Sequence, residues 1–305
     1  MDDALREIGQ AFTHMGKPDP RLVGPKQYHH RLHQLLKGLK KDDPPPERVL
    51  PVSLCILKAL CVMTTSGFQF DEAIRDLCTI GFFYLCRPGE STAPAAQSDA
   101  APFRLCDVEF IINHQCYTGC NVPLPLLAAA QATRLEYTVQ KNGNKGDKVA
   151  HGRSGHPLLC PVFATANRVR HLRMHHAAPD TPLYVVFHSN KPICVAAWHL
   201  TAALRAATTA VAPTTGIDPA RISARSLRPG GATALLCAGV DTDTTQLIGR
   251  WKSDAMIRYL HLQAAPAMRR YAPAMLKHGT FTFLPGAQQP LQVAPELHQV
   301  ILPAP

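Results

Sequence analysis

Residues 222–261 read ISARSLRPGGATALLCAGVDTDTTQLIGRWKSDAMIRYLH. The stretch carries the signals of three short helices with polar joints. After Arg228-Pro229-Gly230-Gly231, the apolar positions Ala232, Leu235, Leu236 and Gly239 fall at i, i+3, i+4 and i+7, one face of a helix. Asp241 suits the cap of the next turn, where Leu247 and Ile248 are expected to face inward and Gly249 to end the helix. Ser253 suits the cap of a third helix, with Met256 and Leu260 one turn apart.

Polar groups cluster around this frame. Arg225 and Arg228 stand three apart at a helix start, a spacing expected to turn two guanidinium forks to one side, which suits a phosphate. Arg250 and Trp251 follow the helix-ending glycine, and Tyr259 falls within the expected third helix. A phenol has a pKa of about 10 in isolation. Beside cations it ionises more readily, which suits a nucleophile toward phosphorus. The structural alternative is a helical bundle with surface arginines and a half-buried tyrosine.

The composition is compatible with such a site. The 305 residues allow one large or two smaller domains, and 46% hydrophobic residues suffice for a core. The formal net charge is +10 and the sequence pI about 9.2, the footprint of a polyanion binder. No basic amphipathic run with exposed aromatics points to a membrane surface, and no apolar run approaches the ~20 residues of a span. The ten cysteines are scattered singly, which fits reduced thiols in an intracellular protein. The first ten residues, MDDALREIGQ, lack the apolar core of a signal peptide.

In chain order, residues 1–43 read as helical. Leu32, Leu35, Leu36 and Leu39 keep the 3.6 period, and Lys26, Arg31, Lys37, Lys40 and Lys41 occupy much of the rest. Residues 44–50, opening with three prolines, break the pattern as a linker. Leu57, Leu60, Cys61 and Thr64 share one helical face, and Phe70, Ile74, Leu77, Gly81 and Tyr84 another, before a turn at Arg87-Pro88-Gly89-Glu90. Strands are expected around residues 105–112 and 134–140, the second entering a hairpin at Lys141-Asn142-Gly143 and returning from Lys148. Pro161 can open a helix with Val162, Ala166, Val169 and Leu172 on one face. Arg168, Arg170, His171, Arg173 and His175 crowd the other, a face suited to phosphates or simply exposed. Residues 196–207 read as a further helix with Trp198 in the core. The resulting fold class is mainly α with a small antiparallel sheet.

The ordered boxes Arg225-Ser226-Leu227-Arg228, Cys237-Ala238-Gly239-Val240-Asp241, Leu247-Ile248-Gly249-Arg250-Trp251 and Arg258-Tyr259-Leu260-His261 resemble the C-terminal signature of the tyrosine recombinase (phage integrase) family. The likeness is closest to the Crypton type, the integrase-like recombinases of eukaryotic mobile elements. It covers roughly residues 20–275. It implies a catalytic domain over residues 51–278, preceded by a shortened helical core-binding segment and followed by a tail at 279–305 that docks on a neighbouring protomer.

The resemblance also implies roles. Tyr259 attacks a DNA phosphodiester, leaving a 3′-phosphotyrosine and a free 5′-hydroxyl. Arg87, in its Arg-x-x-Glu context with Glu90 orienting it, and Arg228 hold the non-bridging oxygens. Lys141, with Lys145 as second choice, protonates the leaving oxygen. Either Arg250, nine residues before Tyr259, or Trp251, 23 after Arg228, donates to the phosphate. The family's usual histidine is replaced by Arg225, which cannot accept a proton at neutral pH. The expected partners are double-stranded DNA and further copies forming a synaptic tetramer, with no membrane, no metal and no cofactor. The setting is DNA integration or transposition inside the cell, in the nucleus if the source is eukaryotic. The alternatives are a catalytically inactive DNA-binding relative and a type IB topoisomerase-like nicking-closing enzyme. A zinc site at His114, Cys116 and Cys120 has poor ligand spacing, and no phosphate-binding glycine loop occurs.

Overall fold

The computed structural model describes residues 2–24, 27–42, 49–64, 68–94, 101–139 and 145–251. The chain divides into two compact units, Met1–Arg48 and Val49–Pro305. In the first, α1 (Asp2–His14) is followed by a short antiparallel pair, β1 (Leu22–Gly24) and β2 (Gln27–Tyr28), and then α2 (His30–Asp42). The reading of this segment as helical throughout is corrected by that hairpin. Its turn signal is Gly24-Pro25, a pair that stops a helix. Arg21 closes the unit on itself by an ion pair to Asp19 and a hydrogen bond to the Leu5 carbonyl.

The second unit begins with α3 (Leu54–Met63), α4 (Gln69–Phe83) and a single turn, α5 (Pro88–Ser91). A four-stranded antiparallel sheet follows, made of β3 (Val108–Ile112), β4 (Gln115–Thr118), β5 (Ala132–Tyr137) and β6 (Asp147–Gly152), in the order β4-β3-β5-β6. Then come α6 (Pro161–Met174), the hairpin β7 (Val185–His188) and β8 (Lys191–Cys194), α7 (Ala197–Thr215), α8 (Leu227–Ala238) and α9 (Thr242–Gly249). Mainly α with a small antiparallel sheet is the class observed.

Two apolar clusters hold this unit, and α4 serves both. Ile80 and Tyr84 pack with the sheet and α6 around Phe110, Leu135 and Val169. Ala73, Leu77 and Phe82 pack with α3 and α7 around Leu57, Leu60, Leu200 and Leu204. Each fully buried Leu or Ile stabilises the unit by about 1.5–3 kcal/mol relative to exposure. A helix apolar on two sides belongs between layers rather than on a surface. This places the C-terminal end of α4, and the Arg87 turn after it, in the middle of the unit.

The charged side of α6 is not an open phosphate face. Arg168 is buried and donates to the carbonyls of Leu183 and Val185 at 3.0 and 2.6 Å. Arg173 donates to the carbonyls of Gly119 and Val122. His171 Nε2 accepts from the Phe187 amide at 2.9 Å. These groups satisfy backbone that lacks sheet or helix partners, which loops between layers require. Trp198 is likewise not core but 66% exposed, lying against His199 at the start of α7. No helix among the described residues is long and apolar enough to cross a membrane.

The His171 contact has a pH signature. Burial, then the Arg168 cation and His175, push its pKa from 6.5 down to about 4. A base whose folded pKa is depressed favours folding fully above its unfolded pKa. That contribution is lost as pH falls from about 6.5 toward 4, because the unfolded chain takes up the proton first. His171 is partly exposed, so the loss is about 1–2 kcal/mol after allowing for screening. Burial raises the buried Asp76 carboxyl to about 7, which works in the opposite sense. The comparison must therefore be with His171→Gln, which keeps an acceptor but cannot charge. Urea midpoints from pH 7 to pH 4 should fall more steeply for the parent than for this variant. Parallel curves would remove His171 from the acid response.

Candidate active site

The site is assembled where α4 ends, α8 begins and α9 ends. Leu85, after the last turn of α4, takes a left-handed backbone (φ 50°), which costs a non-glycine residue about 1–3 kcal/mol. It turns the chain so that Pro88 opens α5 and Arg87 stands at its N-cap. The start of α8 is pressed into this corner. A Cβ on Gly230 would overlap the backbone of Val52, and one on Gly231 the Phe82 carbonyl. Only the paired glycines let α8 approach closely enough to bring Arg228 beside Arg87. Asp241 caps α9 by accepting from the Thr244 amide at 2.7 Å. The helix ends at Gly249, but the left-handed cap residue is Arg250 (φ 58°). Gly249 instead lies under the Trp251 ring, which leaves no room for a side chain there. Leu247, expected inside, is exposed and lines a cleft with Asp147, Lys148, Val149, Gln246, Arg250 and Trp251.

Three guanidinium groups and one carboxylate meet here. Glu90, fully buried, accepts from Arg87 Nη1 at 3.0 Å through Oε1. Through Oε2 it accepts from the Arg87 amide at 2.7 Å and from Arg250 Nη2 at 3.0 Å. Arg250 Nη1 donates to the carbonyls of Tyr84 and Ile248, both at 3.1 Å, and Nη2 reaches the Leu85 carbonyl at 3.5 Å. Its guanidinium lies 3.4 Å from the centre of the Tyr137 ring, a cation–π contact in a desolvated setting. Arg228 Nη2 donates to the Gly249 carbonyl at 2.6 Å, and its guanidinium sits 4.3 Å from the centre of a Trp251 ring. Arg228 Nε and Nη1 are buried with no hydrogen-bond partner among the described residues.

The electrostatics follow from this set of charges. Burial first, then the neighbouring Arg87 and Arg250 cations, lower Arg228 to about 10, with Glu90 opposing. Arg228 therefore stays charged at neutral pH, at a cost that an anion would relieve. The Arg87 side chain keeps 27% exposure, whereas Arg250 keeps 2%. Buried, unspent donors beside surplus positive charge form a receptor for an oxyanion.

The remaining sequence candidates divide clearly. Arg87, Arg228, Arg250 and Trp251 come together. Arg225 does not share the side of Arg228: it lies in a short 3₁₀ turn before α8 begins and is exposed. Its guanidinium has no hydrogen bond or ion pair among the described residues. Lys145 is exposed just before β6, where the Gly146 amide closes the hairpin on the Tyr137 carbonyl. Lys141 and Tyr259 lie outside the described residues, as do the third helix and the tail at 279–305. Sequence reading missed Tyr137 as the floor beneath Arg250, since an alternating strand shows only which face is buried. It also missed the packing role of Gly230-Gly231, although a glycine pair inside a helical pattern is a signal of close approach. No group of three or more His, Cys, Asp or Glu residues among those described is arranged to hold a metal ion.

No family profile matches the chain, and no curated protein matches it. Solved structures with a partly similar chain path include XerH site-specific recombinase bound to difH substrate, at 13% identity and a TM-score of 0.45, covering 70% of this chain and 51% of that one. The chain thus spans about half the length of that protein. XerA recombinase is 16% identical, with a TM-score of 0.45 and coverage of 89% and 91%. Tn1549 transposon integrase in complex with transposon right end DNA is 11% identical, with a TM-score of 0.46 and coverage of 91% and 78%. At such identities and scores, these likenesses carry no functional weight.

Proposed function

We propose that this protein binds double-stranded DNA and cleaves and rejoins it through a tyrosine–phosphate intermediate, as a site-specific recombinase. The observation that carries the reading is the buried Arg228 with two unspent donors beside the partly exposed Arg87. Two guanidinium forks can hold both non-bridging oxygens of a phosphodiester and gain strength as negative charge grows in the transition state. Tyr259 supplies the attacking oxygen, on the strength of its place in the ordered boxes. Its phenol proton passes to solvent, since Arg225 cannot accept it; the Oη–P bond forms as the P–O5′ bond breaks, and Lys141 or Lys145 gives a proton to the 5′-oxygen. The phosphotyrosine conserves the ester, so a second 5′-hydroxyl can reverse the step without nucleotide or metal. The same resemblance supports action by a synaptic tetramer in a Crypton-type element, in the nucleus of a eukaryotic source. A second reading, as a non-catalytic DNA binder, is favoured by Arg225: at the position of the family's acid–base histidine, it is exposed and cannot accept a proton.

Both readings require phosphate-dominated DNA binding, motivated by the net charge of +10. Duplex affinity measured by fluorescence anisotropy should fall steeply with salt, with a log–log slope of about 0.9 per phosphate neutralised. A flat dependence, or no binding at low salt, would exclude both.

A further inference from the structure

We propose that Arg250 is a positioning residue that fixes Arg87 through Glu90, and does not itself touch the phosphate. The proposal rests on the phosphodiester reading of the site. Both terminal nitrogens of Arg250 are directed at protein acceptors: Nη1 at Tyr84 and Ile248, Nη2 at Leu85 and Glu90. Its flat face lies against the Tyr137 ring. For either terminal nitrogen to donate to a phosphate, it would have to leave Glu90 or uncover carbonyls that have been removed from water. Turning inward, it ties three segments together: the end of α4 through two carbonyls, the α5 turn through Glu90, and the last turn of α9 through Ile248. The orphan carbonyls at a helix end need such donors.

Glu90 then passes this order to Arg87. The carboxylate is held in place by Arg250 and grips Arg87 at both its backbone amide and its side chain. A planar guanidinium gripped at one edge has a defined direction for the other, which is what bidentate recognition of phosphate needs. The phosphate role at the end of α9 falls to Trp251, which already lies over Arg228.

The test is a double-mutant cycle on Arg250→Gln and Glu90→Gln, read as affinity for inorganic phosphate. The chain holds two tryptophans, so Trp198→Phe, at an exposed position, leaves Trp251 as the sole reporter beside Arg228. If Arg250 acts through Glu90, Arg250→Gln alone should weaken phosphate binding about tenfold, the effect of ~1.4 kcal/mol. With Glu90 already changed to Gln, the same substitution should cost less than twofold, because coupled neighbours are non-additive. Equal losses in both backgrounds would show Arg250 to be a direct phosphate ligand and overturn the proposal. A lowered melting temperature with phosphate affinity unchanged would also overturn it, by showing a purely structural role. If Arg250→Gln does not fold, Arg250→Lys, which keeps the charge but not the fork, is carried through the same cycle. Absence of any phosphate response in the parent, with its fold intact by circular dichroism, would instead sink the phosphodiester reading and this role with it.

Discussion

Replacing Arg228 by alanine should lower DNA cleavage by about 10²–10³-fold, the usual cost of one transition-state donor. The side chain is buried, carries two donors with no described partner, and sits beside the Arg87 cation. Its removal should not unfold the protein. It relieves repulsion among three cations, and it takes away only one hydrogen bond to the Gly249 carbonyl and the stack on Trp251. Duplex affinity should change little, because many surface cations share that burden. Arg228→Lys should recover only part of the rate, since a single ammonium cannot span two oxygens. Single-turnover cleavage and a melting curve on each variant decide the matter. A variant that binds and cleaves like the parent would show that Arg228 is a structural brace.

Glu90→Ala should have the opposite profile, with stability lost first. Glu90 is fully buried and is the counter-charge shared by Arg87 and Arg250. Breaking a buried pair while leaving one charge behind costs about 3–5 kcal/mol, a large share of a typical folding free energy. The penalty falls mainly on Arg250, which is nearly out of solvent. Glu90→Gln, which keeps an acceptor for Arg87, should lose less. Urea denaturation of the three proteins tests this, and an alanine variant within ~1 kcal/mol of the parent would contradict the burial argument.

Much of the frame was legible from periodicity. The paired faces of α3 and α4 and the inner face of α6 follow the 3.6 repeat, and the buried residues of β5 alternate. Arg87, Arg228, Arg250 and Trp251 were readable as a set through the family resemblance, though no spacing could say that they meet. Three things were not legible, for different reasons. Arg168 and Arg173 look like solvated charges in a sequence, because a guanidinium that serves buried carbonyls has the same letter as one in water. Trp198 looks like core because a large aromatic usually is, and its exposure depends on where α7 starts relative to its neighbours. The direction of Arg250 depends on its place at a left-handed cap, and local propensity carries no sign of that.

Covalent chemistry on Tyr259 is open to a trapping experiment. The chain is mixed with nicked duplexes drawn from sequences flanking its gene, so that cleavage releases a short 5′-hydroxyl fragment that diffuses away. A protein–DNA species should form that survives denaturing gel electrophoresis, maps by peptide mass spectrometry to a phosphotyrosine at Tyr259, and is absent with Tyr259→Phe although DNA binding persists. Tight binding to such duplexes without any adduct, even with Arg225→His to restore an acid–base group, would contradict it and leave a DNA-binding protein. An adduct on Tyr271, a tyrosine beyond the Arg258–His261 box, would keep the reaction but move the nucleophile.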